Sequence, residues 1–284
     1  MDGMCWLRVY RYVCDAARSL PRTPRVQHSD ARIVLTFLWA VVQQRPISWA
    51  CRSRHWPPHL RHHALPSPAT MSRRLRRREV LQLLATMLVL IQQTIPCGSM
   101  AIIDGKPLPI GGYSKDPDAG YGRGAGVMAR GYKLHLICSI TGRVIDWDVA
   151  ALNVSEQRVA RTLLPAAEHD AGFVLGDANY DANALYELAG NHGMQLLTPR
   201  RYRKARGIGH HKHSLFRLRA IRMLSDGLKP LLYQRLAIER FFAHLSNSLC
   251  PLPNWVRRQH RVENWVHAKL ILNAIRITGK LEGR

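Results

Sequence analysis

The chain has 284 residues, 46% of them hydrophobic, which suffices for a sizeable core and excludes wholesale disorder. Lys and Arg total 42 against 19 Asp and Glu, a formal charge of +23, and that excess implies a polyanionic partner, either nucleic acid or an anionic membrane surface. Residues 1–98 hold 15 basic and 4 acidic residues and residues 99–284 hold 27 and 15, so the charge is no mere tail.

Membrane insertion is not expected. The longest apolar runs, Ile33–Val42 and Val80–Ile91, fall short of the roughly 20 residues that span a bilayer. Arg8 and Arg11 interrupt the first apolar stretch, so no signal peptide is read there. The six cysteines (Cys5, Cys14, Cys51, Cys97, Cys138, Cys250) form no Cys-x-x-Cys pair. A zinc ribbon is not indicated, and free thiols in a reducing cytoplasm are expected.

In chain order, residues 1–98 contain no lysine and read as helical. Ile33, Val34, Phe37, Leu38 and Val41 repeat at helical spacing, with Ser29 or Asp30 as N-cap and Pro46 as a stop. After Pro66 and Pro68, a helix over Thr70–Arg78 carries Arg73, Arg74, Arg76, Arg77 and Arg78 on its exposed side. Ser67 or Thr70 at its start would let phosphate approach, as a helix-turn-helix recognition helix requires. The same residues also fit the solvated basic face of an ordinary helix.

Beyond Ile95-Pro96-Cys97-Gly98 strands and helices alternate, an α/β pattern. Met100–Asp104 is a short strand, Gly111–Gly131 a glycine-rich loop, and Tyr132–Ile140 with Val144–Val149 a hairpin. Ser155 opens a helix to about Glu168, Gly172–Asp177 is a second apolar strand, and Asp181–Ala189 a helix with Asp181 as N-cap. Gln195–Thr198 is the last strand. Helices over about Leu231–Leu249 and Val262–Ile277 complete the chain.

Asp104 follows Ala101-Ile102-Ile103, and Asp177 follows Phe173-Val174-Leu175-Gly176. Two buried strands that each deliver an Asp at the carboxyl end place both at the sheet edge where ligands bind. Glu239 lies on a helix with the core stripe Ile238, Phe241, Phe242, Leu245 and Leu249, and Arg235 is one turn earlier on its face. Three converging carboxylates would make a hard-oxygen site for Mg²⁺ or Mn²⁺. Taken singly, Asp104 could cap a turn, Glu239 could pair with Arg235, and Asp146 and Asp148 fit the solvent side of the hairpin. The run Gly120–Gly126 leads into a strand, so it is not a dinucleotide loop. Arg200–Arg222 holds nine Lys or Arg and no acid, a DNA-contacting surface that includes Arg201, Arg203 and Lys204. Lys133 and His135 share one face of their strand, a face read as near the substrate. Trp255 and Trp265 are read as core.

Ile103-Asp104-Gly105, Gly131-Tyr-Lys-Leu-His135, Leu175-Gly-Asp-Ala-Asn-Tyr180 and Arg235-Leu-Ala-Ile-Glu239 resemble the DDE transposases of bacterial insertion sequences. The most similar branch is the one with a Tyr-x-x-Arg-x-x-x-Glu signature followed by Lys. The resemblance runs in order over residues 99–278. It implies a mixed RNase H-like sheet flanked by helices over 99–284, preceded by a small helical DNA-binding domain over 1–98. It also implies two divalent ions, Mg²⁺ or Mn²⁺, on Asp104, Asp177 and Glu239, with Arg235 as a DNA contact. Lys133, Arg73, Arg74, Arg201, Arg203 and Lys204 would add further contacts. Two positions depart from the signature: Leu232 stands for its Tyr and Ser246 for its Lys.

The expected function is metal-dependent cleavage at the element's terminal inverted repeats and strand transfer into target double-stranded DNA, on the nucleoid, with a dimer on DNA as one assembly. The alternatives are a nuclease without strand transfer and a non-catalytic, decayed DNA-binding protein.

Overall fold

The computed structural model describes residues 3–24, 26–61, 64–111, 114–124, 126–201, 213–247 and 252–282. The chain forms two compact units, Met1–Ile95 with His244–Arg284, and Pro96–Ala243.

The first unit begins with helices α1 (Gly3–Arg18), α2 (Asp30–Val42), α3 (Ile47–Ala50), α4 (Pro68–Arg74) and α5 (Arg78–Gln92). Ser29 caps α2 by accepting the Arg32 amide at 3.3 Å, and Ser67 caps α4 by accepting the Thr70 amide at 3.2 Å. The expected single helix over Thr70–Arg78 is two helices. Leu75 turns into the core at 5% exposure, so α4 stops at Arg74 and the remaining arginines fall on the turn and the start of α5. Val80, Leu83, Leu84, Met87, Leu88 and Ile91 form the buried stripe of α5.

The second unit is a mixed α/β structure around one sheet. Its strands are β1 (Met100–Pro109), β2 (Gly120–Gly124), β3 (Val127–Ser139), β4 (Val144–Ala151), β5 (Phe173–Leu175) and β6 (Gln195–Leu197). The strand order is β2-β3-β1-β5-β6, and β4 pairs with β3 beside β2. β3 runs antiparallel to β1, β2 and β4, whereas β5 and β6 run parallel to β1. This is the RNase H-like arrangement. Helices α6 (Glu156–Leu163), α7 (Asn183–Asn191), α8 (Leu215–Met223) and α9 (Leu236–Asn247) lie between or after the strands.

Two strands differ from expectation. β1 continues past Asp104 to Pro109 because β3 pairs along its whole length. Its pairing with β5 ends at Ile102, so Pro107 and Pro109 lie where one flank of β1 has no ladder to lose. The glycine-rich loop contains β2, which pairs with β3. Glycine is required where these strands crowd: a Cβ on Gly131 would collide with the Leu108 carbonyl oxygen.

The last helix, α10 (Gln259–Glu282), belongs to the first unit. The expected second domain ran to residue 284, but α10 is buried on nearly every side from Val262 to Ile275 and packs on α5, α1 and α2. A helix buried on nearly all sides sits at the centre of a helical bundle, here with Asn264, Lys269 and Asn273 among its buried residues. Cys14, Cys51, Cys97 and Cys138 are free thiols among the described residues. No described helix is long and apolar enough to cross a membrane.

Candidate active site

The last parallel pair between β1 and β5 is Ile102 with Leu175. Asp104 and Asp177 each stand two residues beyond it, so one register delivers both carboxylates to the same strand edge. Asp104 Oδ1 accepts the Gly105 amide at 2.7 Å. Asp177 accepts the Asn179 amide at 2.8 Å and its side-chain amide at 3.2 Å, capping the turn that follows β5. Burial pushes Asp104 up to about 6, with the charges of Asp177 and Glu156 adding to it and the Gly105 amide and Arg235 opposing. Asp177 is raised in the same way, by burial first and then by Glu156.

Glu156 is the acid that sequence reasoning missed. It follows the N-cap Ser155 on α6, where a first-turn acid is ordinary, so nothing in the sequence marks it. Its Oε1 pairs with Lys133 Nζ at 2.8 Å, with side-chain exposures of 14% and 12%. A Cβ on Gly105 would meet Lys133 Cδ at 2.9 Å and Glu156 Oε1 at 3.1 Å. The ion pair therefore lies over the residue next to Asp104. Lys133, expected as a DNA contact, thus has its ammonium engaged by Glu156 in this structure. Tyr180 is buried near these acids, and its hydroxyl has no partner. Burial, then Glu156, Asp104 and Asp177, raises that phenol well above its usual range.

Arg235 lies on the turn before α9, and its charge acts on both aspartates. Its buried Nε has no acceptor. Glu239, four residues on, is exposed on α9. Among the described residues no three His, Cys, Asp or Glu side chains are grouped closely enough to hold a metal ion. The structure thus gathers two of the three expected carboxylates, with Glu156 beside them, while Glu239 is exposed on α9. A cavity of about 860 Å³ adjoins Arg235 and is lined by Arg200, Lys229, Leu232 and Tyr233 with no acidic residue.

The remaining candidates separate. Arg74 is 4% exposed, donates to the His28 carbonyl at 3.1 Å and pairs with Asp30. It is a strut of the helical unit and is not available to DNA. Arg73 and Arg201 are exposed, while Arg203 and Lys204 lie outside the described residues. Asp181 is not the N-cap of α7, a position that Ala182 holds. It accepts Arg217 Nε at 2.8 Å and Nη2 at 2.9 Å, and the Arg201 amide at 2.9 Å.

A family model described as the transposase DDE domain matches residues 95–273. No curated protein matches the chain.

Proposed function

The chain belongs to the DDE-domain transposases, and we propose that Asp104, Asp177 and Glu239 are the carboxylates with which it cuts phosphodiester bonds at an element's ends. One observation carries this reading: two aspartates at equal steps beyond the last parallel pair of β1 and β5. The donors fit a hard cation such as Mg²⁺ or Mn²⁺. Two carboxylates meet at one edge, and burial with mutual repulsion pushes Asp104 up to about 6, a cost that a cation would relieve. Bound there, one or two such ions would stabilise charge on the attacking and leaving oxygens.

The chain's own groups orient the DNA. Asp104 and Asp177 hold their rotamers through the Gly105 and Asn179 amides. Arg235, with its Nε lacking an acceptor, would take a phosphate oxygen at the scissile step. Glu156 holds Lys133 back, so that its ammonium adds to the field at Asp177 without occupying it. Glu239 stands one helical turn beyond Arg235, and its approach to the pair when DNA binds is part of the proposal. The 3′-hydroxyl freed by the cut, kept beside the same carboxylates, would attack a target phosphodiester.

Asp104→Asn, Asp177→Asn and Glu239→Gln should each abolish cleavage of end-containing duplex in Mg²⁺ or Mn²⁺ while leaving affinity in EDTA nearly unchanged. Equal cutting by Glu239→Gln would remove Glu239 from the site. Wild-type protein that binds ends yet cuts with neither ion would refute the enzyme. Hydrolysis without strand transfer is the second reading, favoured by Leu232 and Ser246 at the two departing positions. Joined products with a target plasmid would exclude it.

A further inference from the structure

The helical unit holds a second cavity, of about 270 Å³, that the cleavage reaction does not use. It lies just below the roughly 300–1,000 Å³ of drug-sized sites and has room for one ring system. Phe37 of α2 and Trp265 of α10 form part of its wall, packed edge to face with ring centroids 6.0 Å apart at 73°. Trp255, expected in the core, also lines the cavity and is 46% exposed. Arg76 and Arg261 are exposed on its rim, and no acidic residue lines it. Trp265 is 2% exposed, and its indole N–H is buried without an acceptor.

We propose that this cavity takes one unpaired nucleotide of DNA, its base stacked against Trp255 and its flanking phosphates on Arg76 and Arg261. The proposal rests on the reading that the protein works on DNA. A slot lined by the exposed Trp255 and by two exposed arginines, with no acid, fits a flat apolar ring that carries anions on either side. Aromatic side chains stack bases with little regard to sequence. Ring carbonyls and nitrogens of a base are the acceptors that the Trp265 N–H lacks. A base inside a duplex has both faces covered by its neighbours, so the occupant must be flipped out or single-stranded.

Photocrosslinking tests this with a short single-stranded oligothymidine carrying 5-iododeoxyuridine, bound to the full chain and mapped by mass spectrometry. The crosslink is expected on Trp255. Trp255→Ala should weaken binding of the single strand about tenfold or more, while Trp255→Phe keeps most of the affinity. Arg261→Ala should reduce the salt slope of single-strand binding by about 0.7, as loss of one phosphate contact requires. Should Trp255→Ala not fold, the wild-type crosslink and the Trp255→Phe titration still decide. Crosslinks mapping elsewhere, or single-strand affinity unchanged in a folded Trp255→Ala, overturn the proposal. If wild type meanwhile cuts end-containing duplex in an Asp104-dependent way, the cavity assignment alone falls and the transposase reading stands. A wild type that binds neither single strand nor duplex overturns both.

Discussion

Asp181→Asn separates two accounts of one carboxylate by magnitude. As the N-cap that its place before α7 suggested, Asp181 could be replaced by Asn at a cost of about a few tenths of a kcal/mol, since the two residues cap equally well. In the structure its side chain is 3% exposed and accepts Nε and Nη2 of Arg217, whose side chain is 15% exposed. It also accepts the Arg201 amide and, at 3.3 Å, the Tyr186 hydroxyl. Asn keeps one acceptor, turns the other into a donor facing the guanidinium, and removes the countercharge. Removing one partner of a buried pair costs about 3–5 kcal/mol. The residual exposure of Arg217 lets water solvate part of its charge, which brings the expected loss to about 2–3 kcal/mol. Arg217 holds Asp181 below the usual carboxylate range, against the opposing effect of burial. The stabilisation is therefore present above the unfolded pKa and is lost as pH falls through the folded one. Hydrogen exchange of peptides covering α7 and β6 reads the local free energy at neutral pH. A double-mutant cycle with Arg217→Gln should return coupling of about 2 kcal/mol. Protection within about 0.5 kcal/mol of wild type in Asp181→Asn would refute the anchor and restore the cap.

Two neighbouring arginines should part company. Arg74→Ala leaves Asp30 without its ion pair inside the helical unit and should cost about 3 kcal/mol. Exposed Arg73→Ala should change stability by less than about 0.5 kcal/mol and lower affinity for DNA ends, as paired thermal melts and gel-shift titrations will show. His135 is 1% exposed with neither ring nitrogen bonded, and burial, aided by Lys133, pushes it down to about 4. The unfolded chain takes up this proton near pH 6.5 and the fold does not. Stability is thus fully present above about pH 6.5 and falls by up to about 3 kcal/mol as pH drops toward 4. His135→Leu should remove that part of the slope in hydrogen exchange of β3 at several pH values, and an unchanged slope would exclude His135 as its source.

The aspartate pair was legible in the sequence because strand burial and strand-end chemistry are local. Ile102-Ile103 before Asp104 and Val174-Leu175 before Asp177 carry the signal, and the parallel register then sets them side by side. Ser29, Ser67 and Ser155 were equally readable, since a cap bonds an amide three residues away. What escaped is non-local. Arg74 looks like any surface arginine until Asp30, 44 residues earlier, is folded against it. Glu156 reads as an ordinary first-turn acid until β3 brings Lys133 and β1 brings Asp104 beneath it. β2 was hidden because Gly120, Gly122 and Gly124 leave no side-chain alternation to detect, their selection being for close backbone approach. For α10 the sequence shows a helix but not its partners, and only the fold assigns it to the first unit.

The return of the chain to its first unit also fixes an order of events during synthesis. The apolar stripes of α2 and α5 are made early, yet α10, which packs on both, is made only after the whole sheet unit. At about 5–20 residues per second, the intervening stretch of about 150 residues keeps those stripes waiting for roughly 10–30 s. The unit that holds the aspartates can therefore finish folding while the helical unit is still incomplete. A chain ending near Ala243 would keep the sheet and lose the helix at the centre of its bundle. Such a product would expose apolar surface that invites aggregation or proteolysis.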